Sequence, residues 1–155
     1  MFAAPGTIWL VPLAMILGMT GVACVEVNGG AAELSWSLRT FDGVRLATSC
    51  DDREHGVHLQ WIRLAWKAAA DSGDETDLEP DGWKQFRCAD ARGVTDFSIP
   101  PGKQMLWVVP ICADGMPATG NYQVPPPIVR TVAHGAVTTL DALLVVADAS
   151  TCPAP

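Results

Sequence analysis

Histidine and carboxylate side chains are most concentrated in a short segment between residues 51 and 58. The potential metal ligands in this segment are Asp51, Asp52, Glu54, His55 and His58. A zinc site would require both imidazoles and a carboxylate to converge at about 2.0–2.2 Å from the ion. Side chains three positions apart on a strand point to opposite faces, so His55 and His58 converge only if Gly56 forms a turn between them. We interpret the segment as a solvated loop that leads into a strand, and we predict no metal site in it.

A second acidic group occupies a single stretch further along the chain. Its carboxylates are Asp71, Asp74, Glu75, Asp77, Glu79 and Asp81. Calcium takes six to eight oxygen ligands, which this stretch could supply in part. The spacing lacks the Asp-x-Asp/Asn-x-Asp/Asn-Gly order of an EF-hand loop. We interpret it as a charged connection between two strands that keeps the domain soluble.

The sequence contains none of the common catalytic signatures. It has no Gly-x-Ser-x-Gly elbow, no His-Glu-x-x-His helix motif and no phosphate-binding glycine loop. His134, in Ala-His-Gly, is typical of a turn, and a free nucleophilic cysteine is not expected where disulfides can form. We therefore predict that the protein is not an enzyme and needs no cofactor.

Five tryptophans follow residue 24: Trp36, Trp61, Trp66, Trp83 and Trp107. Several of them on one exposed face could stack on sugar rings or form a protein interface. Trp36, Trp61 and Trp107 alternate with other apolar residues and are expected in the core. Trp83 lies beside the acidic stretch and is the best candidate for exposure.

The overall composition describes a folded, acidic domain. The chain has 155 residues, of which 49% are hydrophobic and 17% charged, with a net charge of −7. This composition argues against disorder. An acidic surface repels phosphate backbones, so nucleic acid is not an expected partner.

The N-terminus has the features of an export segment. Residues 8–19 are apolar, no charged side chain precedes Glu26, and the small residues Gly21 and Ala23 precede Cys24. This pattern resembles a bacterial lipoprotein signal. The resemblance implies cleavage after residue 23 and a diacylglycerol, with acyl chains such as palmitate, on Cys24. It also implies a signal peptide over 1–23 and a lipidated tether over 24–32. Val25 is not the Asp that retains many such lipoproteins at the inner membrane, so an outer-membrane location facing the periplasm or the surface is favoured.

Two other interpretations of this segment stay open. Ordinary signal peptidase cleavage at the Ala23–Cys24 bond would give a secreted, soluble product. An uncleaved N-terminal anchor would also fit, since residues 2–25 are apolar. All three interpretations place the domain outside the cytoplasm.

Cysteine parity favours lipidation. Five cysteines leave one thiol over in an oxidising compartment. If Cys24 is lipidated, the remaining Cys50, Cys88, Cys112 and Cys152 can form two disulfides. Three connectivities are possible; we prefer Cys50–Cys88 with Cys112–Cys152, because a bridge would pin the short tail that carries Cys152.

Strand patterns dominate the rest of the chain. Alternating or apolar runs occur at 33–39, 57–66, 83–88, 94–99, 104–109, 128–132 and 137–146. The second run changes phase between Trp61 and Ile62, which indicates a bulge or a strand covered on both faces. Leu140 to Ala147 is also compatible with a helix on propensity. The proline-rich segment 123–128 is expected to be extended along a sheet edge.

The segment from Gly93 to Val108, with Pro100-Pro101-Gly102 predicted as a hairpin turn, resembles the carboxypeptidase regulatory-like (transthyretin-like) domains. In that family the turn is followed by an aromatic residue, where this chain has Gln104. The resemblance implies a single Greek-key β-sandwich of about seven strands over residues 33–155, with an accessory role.

These observations predict an all-β, membrane-tethered envelope lipoprotein that acts as a non-catalytic binding or structural module. Its expected partners are the membrane, through Cys24, and envelope proteins. The alternative is a secreted β-sandwich that binds carbohydrate or another small ligand, which an exposed tryptophan cluster on one sheet face would favour.

Overall fold

The computed structural model describes residues 27–45, 50–52, 56–69 and 78–152. Nine strands and one 3₁₀ turn, Cys88–Asp90, are found in these residues. The strands are β1 (Ala31–Arg39), β2 (Asp51–Asp52), β3 (Val57–Ala68), β4 (Gly82–Arg87), β5 (Arg92–Val94), β6 (Gly102–Cys112), β7 (Tyr122–Gln123), β8 (Ile128–Val132) and β9 (Val137–Ala147). β1 begins at Ala31, so the last two residues assigned to the tether belong to the sheet.

The first sheet has the strand order β5-β1-β9-β7. β1 forms because Leu34, Trp36 and Leu38 alternate with polar residues, and all three are buried. β9 lies parallel to β1, whereas β5 and β7 are antiparallel to their neighbours. The first and last strands of the domain therefore pair with each other, which closes the fold around long-range contacts.

The second sheet is built around β3. β6 pairs with one edge of β3, while β4 and the short β2 pair with the other edge. β8 lies on the far side of β6, and all these pairings are antiparallel. The sequence prediction that segment 83–88 pairs with segment 57–66 across the acidic connection is confirmed.

The change of phase in β3 is a β-bulge. The pairing with β6 shifts between Leu59 and Trp61. Val57 and Leu59 face the core before the shift, and Ile62, Leu64 and Trp66 face it afterwards. One extra residue in a strand reverses the face of every side chain that follows. Trp61 is thereby turned to the outer side of the sheet.

The two sheets pack face to face around one apolar core. Residues from both sheets contribute to it, with Leu34, Leu64 and Val145 almost fully buried. Trp36 fills the space between the sheets, and its indole Nε1 donates a hydrogen bond of 2.9 Å to the carbonyl of Cys88. A buried indole N–H needs such a partner.

The predicted all-β sandwich is confirmed. Seven of the strands have three or more residues, and β2 and β7 are two-residue additions. From β4 to β9, consecutive strands lie in opposite sheets. A 3₁₀ turn and loops connect them. The chain therefore crosses from one sheet to the other at every connection after β4.

One local alternative is excluded and one expectation is corrected. The strand predicted at 137–146 is confirmed as β9, and residues 140–147 are not helical, because alternate side chains such as Leu143 and Val145 are needed in the core. Pro100-Pro101-Gly102 is not a hairpin turn, because β5 pairs with β1 and β6 pairs with β3. Gly102 has a φ of +120° and redirects the chain from one sheet to the other.

The turn at Pro100-Pro101-Gly102 is bonded to Gln104, which stands where transthyretin-like domains have an aromatic residue. Gln104 is buried, and its Nε2 donates to the carbonyl oxygen of Pro100 at 3.0 Å. The turn thus satisfies the amide nitrogen, whereas Oε1 of Gln104 is buried without a hydrogen-bond partner among the described residues.

The sandwich has two chemically different ends. At the end where the chain enters, which we call the entry end, the backbone of Gly30 exchanges hydrogen bonds with Ile99, and Ala31 N donates to Ala136 O at 2.9 Å. At the opposite end, the disulfide end, Cys50 is bonded to Cys88 and Cys112 to Cys152. This is the pairing that the sequence favoured.

Candidate binding face

Only some of the residues considered as metal ligands lie in the described part of the chain. The backbone of Asp51 pairs with that of His58, which is half-buried on β3. His55, Glu54 and four of the six carboxylates of the acidic stretch, namely Asp71, Asp74, Glu75 and Asp77, lie outside the described residues. Within the described ranges, no group of three or more His, Cys, Asp or Glu side chains is arranged to hold a metal.

The outer face of the second sheet, turned away from the first, has an unusual charge distribution. The chain carries 17 acidic residues, yet β3, β4, β6 and β8 contain none. Only the short β2, at the disulfide end, is acidic. The register of the four longer strands brings aromatic and basic side chains together on this surface, which we call the aromatic–basic face. Its principal residues are Trp61, Arg63, Lys67, Trp83, Arg87, Lys103 and Trp107.

Trp83 and Arg63 form the centre of this face. Trp83 is 51% exposed, and the Arg63 guanidinium carbon lies 4.5 Å from the centroid of its ring. A guanidinium in this position is attracted by the electron-rich face of the indole. With the Gln85 amide oriented so that its oxygen meets the guanidinium, Oε1 accepts from Nη2 at 2.8 Å and from Nε at 3.2 Å. The guanidinium is therefore held in place on two sides.

Trp107 and Trp61 flank this centre. Ala65 lies between Trp83 and Trp107 in one row across β4, β3 and β6. Ala65, Met105 and Trp107 form a second buried cluster, separate from the core between the sheets. Trp61 lies on the same face, beyond the row that contains Arg63, and is half-buried. Its Nε1 donates to Gln60 Oε1 at 3.0 Å. Three of the five tryptophans thus share one outer face.

The tryptophan predictions are confirmed in part. Trp36 lies in the core and Trp83 is exposed, as expected. Trp107 is buried, but in the outer cluster, and Trp61 lies on the outer face because of the bulge in β3. The burial of an aromatic side chain was predictable from type, whereas the side of the sheet depended on register.

Lys84 follows Trp83 in sequence but belongs to a different environment. It pairs in register with Leu64, whose side chain lies in the core, so it emerges at the edge of the sandwich. There its Nζ lies 3.6 Å from Asp96 Oδ2. The Ser98 hydroxyl lowers the pKa of Asp96, and the charge of Lys84 adds to this effect. Both side chains are well exposed, so the pair contributes little to stability.

The proline-rich segment 124–127 connects β7 in the first sheet with β8 in the second. Pro125 and Pro126 line a narrow apolar crevice together with Leu143 of the first sheet and Leu106 of the second. The prediction of an extended segment at a sheet edge therefore fits its position, since it covers the side of the sandwich where β6 extends beyond β8. The crevice is continuous with the core.

Other predicted positions have simple outcomes. His134 is exposed in the turn between β8 and β9, as its sequence context indicated. Cys24 lies outside the described residues. Among the residues that are described, no helix has both the length and the apolar character needed to span a bilayer.

Sequence reasoning missed the role of Arg63 and Gln85. A signal for the face did exist, because the runs 57–68, 82–87, 102–112 and 128–132 lack carboxylates in an otherwise acidic chain. Their convergence required strand pairing, which the sequence predicted only for 57–66 with 83–88.

Comparison with known proteins gives no family. No protein-family model matches the chain, and no curated protein matches it. A minor pilin of Streptococcus agalactiae superimposes on 81% of the chain with 11% identity and a TM-score of 0.37, and the chain spans 46% of the length of that pilin. A candidate carbohydrate-binding protein of Pseudomonas aeruginosa gives 10% identity, a TM-score of 0.32 and coverage of 81% of this chain and 92% of its own. At these values the similarities are distant and carry no functional argument.

Proposed function

We propose that the chain is an exported, non-catalytic binding module, held at a membrane of the cell envelope by a lipid on Cys24. The observation that carries the proposal is the aromatic–basic face, where half-exposed Trp83 is stacked with Arg63. Exposed tryptophan and arginine are the side chains most often responsible for binding energy at recognition surfaces.

The position of the chain entry supports tethering. Gly29 and Gly30 are buried at the entry end, and few residues separate them from Cys24. A lipid on Cys24 would hold the entry end towards the bilayer and the disulfide end away from it. The strands of the second sheet run between the two ends, so the aromatic–basic face would stand beside the membrane rather than against it.

The alternative is a secreted sandwich that binds carbohydrate. The presence of exposed Trp83 and half-buried Trp61 on a single outer face is the observation that favours it. The two proposals share the binding face and differ in the chemistry at Cys24.

The state of Cys24 is tested by intact mass measurement of the protein from the membrane fraction. We expect a chain that begins at Cys24 and carries diacylglycerol, and Cys24→Ala should release the protein from membranes. A membrane-bound Cys24→Ala variant would favour an uncleaved anchor. A chain that begins at Cys24 without lipid would favour secretion.

The binding face is tested by hydroxyl-radical footprinting of the purified chain with and without a cell-envelope fraction. Trp83 should be protected when the fraction is present. Met116 and Phe41 are also exposed and oxidisable, but they lie at the disulfide end and serve as internal controls. Protection of the controls without protection of Trp83 would refute the proposed face.

A further inference from the structure

We infer that the aromatic–basic face binds an acidic polysaccharide, a chain of sugar rings that carry carboxylates. This inference rests on the proposed function, because it names the ligand class of the same face. Three features of the face support it, namely its charge, the exposed indole of Trp83 and the fixed geometry of Arg63.

The charge of the face is opposite to that of the chain. Arg63 and Lys67 on β3, Arg87 on β4 and Lys103 on β6 share the outer side. The strands that carry them contribute no carboxylate, although the net charge of the chain is −7. Arg63 and Arg87 are diagonal neighbours on adjacent strands, with side chains about 7–8 Å apart at their bases. Such a surface attracts a polyanion locally while the rest of the domain repels it.

The exposed indole of Trp83 supplies the aromatic surface of the face. Trp83 lies in one row with Ala65 and Trp107, but Ala65 is 1% and Trp107 7% exposed, so of the three only Trp83, at 51%, is open to a ligand. The apolar face of a sugar ring can stack against this indole. Stacking of this kind is favourable because the ring C–H groups meet an apolar, electron-rich surface.

The guanidinium of Arg63 is oriented before any ligand arrives. Arginine has five N–H donors, and Gln85 accepts from two of them. Three donors are left for a ligand, and a carboxylate is the anion whose geometry matches two donors of one guanidinium. Because the contacts with Trp83 and Gln85 already restrict the side chain, less conformational entropy is lost on binding.

The same features disfavour a nucleic acid. A polynucleotide carries dense backbone charge, and the acidic remainder of this domain would repel it beyond the small basic area. An acidic polysaccharide carries at most about one carboxylate per ring, and it alternates apolar ring faces with charge, as the outward side chains Trp61, Arg63, Ala65 and Lys67 do along β3.

The ligand class is tested with polygalacturonate as the acidic probe, neutral dextran as the uncharged probe and single-stranded DNA as the competing polyanion. The full chain, purified in detergent, should bind polygalacturonate at least about tenfold more tightly than either of the others. Added salt should weaken this binding, since the charges are exposed. Equal affinity for dextran, or for DNA, would overturn the inference.

The location is tested on the unmodified chain by NMR of the indole N–H groups. Oligogalacturonate should shift the signals of Trp83 and Trp61. The signal of Trp36 should stay unchanged, because its Nε1 is buried and bonded to Cys88. A shift of Trp36 alone, or of none of the three at saturation, would place binding elsewhere and contradict the inference.

Variants test the named contacts. Trp83→Ala and Arg63→Ala should each raise the Kd for polygalacturonate by about tenfold. The Kd of Arg63→Lys should lie between those of the wild type and Arg63→Ala, because lysine keeps the charge and loses the paired donors. Leu144→Ala and Arg92→Ala are matched controls on the first sheet, where both side chains are exposed. If the controls weaken binding as much as Trp83→Ala, the face is not the site.

The outcomes separate this inference from the proposed function. Protection of Trp83 by the envelope fraction, with no binding of polygalacturonate, would keep the binding face and refute its ligand class. A dimer in sedimentation that Trp83→Ala dissolves, again without polysaccharide binding, would show a second copy of the chain as the occupant and would also refute the inference.

Discussion

At the scale of single residues, the turn after β9 shows how an exposed carboxylate acquires a structural role. Asp148 Oδ1 accepts from the backbone N of Ser150 at 2.8 Å and from its hydroxyl at 2.6 Å. Asn121 donates to the other carboxylate oxygen at 3.1 Å. The Ser150 hydroxyl, followed by the Ser150 backbone N–H, lowers the pKa of Asp148 below its usual 3.8. This turn positions Thr151 and Cys152, both buried, at the disulfide end.

We predict that Asp148 stabilises the protein only while it is ionised. Because its folded-state pKa is lowered, its contribution is complete above pH 3.8 and is lost as the pH falls through the folded value. Asp148→Asn should therefore lower the urea midpoint at pH 7, and the difference from wild type should shrink below pH 3.8. Asp141→Asn is the control, since its side chain is 93% exposed and its 3.6 Å ion pair with Arg130 at the surface contributes little to stability. An Asp148→Asn effect that is independent of pH would contradict the argument.

At the scale of elements, the bulge in β3 determines which face each side chain takes. Val57 and Leu59 face the core on one side of Gln60, and Ile62 and Leu64 face it on the other. Without the extra residue, one of these two pairs would point outward. The bulge also turns Trp61 and Arg63 to the outer face, so it creates the candidate site and preserves the core at the same time.

Deletion of Gln60 should therefore destabilise the domain strongly. At least two large apolar side chains would leave the core, and each is worth about 1.5–3 kcal/mol of burial. We expect a loss of at least about 3 kcal/mol, measured by urea unfolding, or failure to fold. Gln60→Ala keeps the register and removes an exposed side chain together with its solvent-exposed hydrogen bond from Trp61, so it should have little effect. A deletion variant as stable as Gln60→Ala would show that the register is not decisive.

At the scale of the whole molecule, the two ends of the sandwich are held together differently, one by disulfides and the other by backbone hydrogen bonds. Both disulfides lie at the disulfide end, and the bonded cysteines are separated by 38 and 40 residues in sequence. At the entry end, closure comes from backbone hydrogen bonds that link residues 29–31 with residues 99 and 135–136. The parallel pairing of β1 with β9 joins both ends.

We predict that the double substitution Cys112→Ala and Cys152→Ala lowers the free energy of unfolding by about 2–5 kcal/mol, mainly because the unfolded chain gains freedom. The measurement is the urea midpoint of the full chain. Cys24→Ala is the matched control and should leave this midpoint unchanged. Thiol titration of the denatured, unreduced wild type should find these cysteines blocked. Four free thiols would contradict the disulfide arrangement.

The amount that could be predicted from sequence differs between the fold and the candidate site. Strand positions followed from local alternation, as in β1, because side-chain direction along a strand has a period of two. The Pro100-Pro101-Gly102 turn was assigned to the wrong partners, because a turn signal does not tell whether the next strand stays in the same sheet. The face made by Arg63, Gln85 and Trp83 was missed, because it joins two strands whose exact register is not encoded locally.

The sequence by itself therefore determined the β class, the favoured disulfide pairing and the exposure of Trp83, while the export segment stays a prediction. These depend on residue type, parity and local periodicity. Only the tertiary structure decided that four carboxylate-free strands adjoin in one sheet and that the bulge in β3 turns Trp61 and Arg63 outward. The physical reason is that strand pairing is non-local. Its register is selected by the burial of side chains from both sheets in one core.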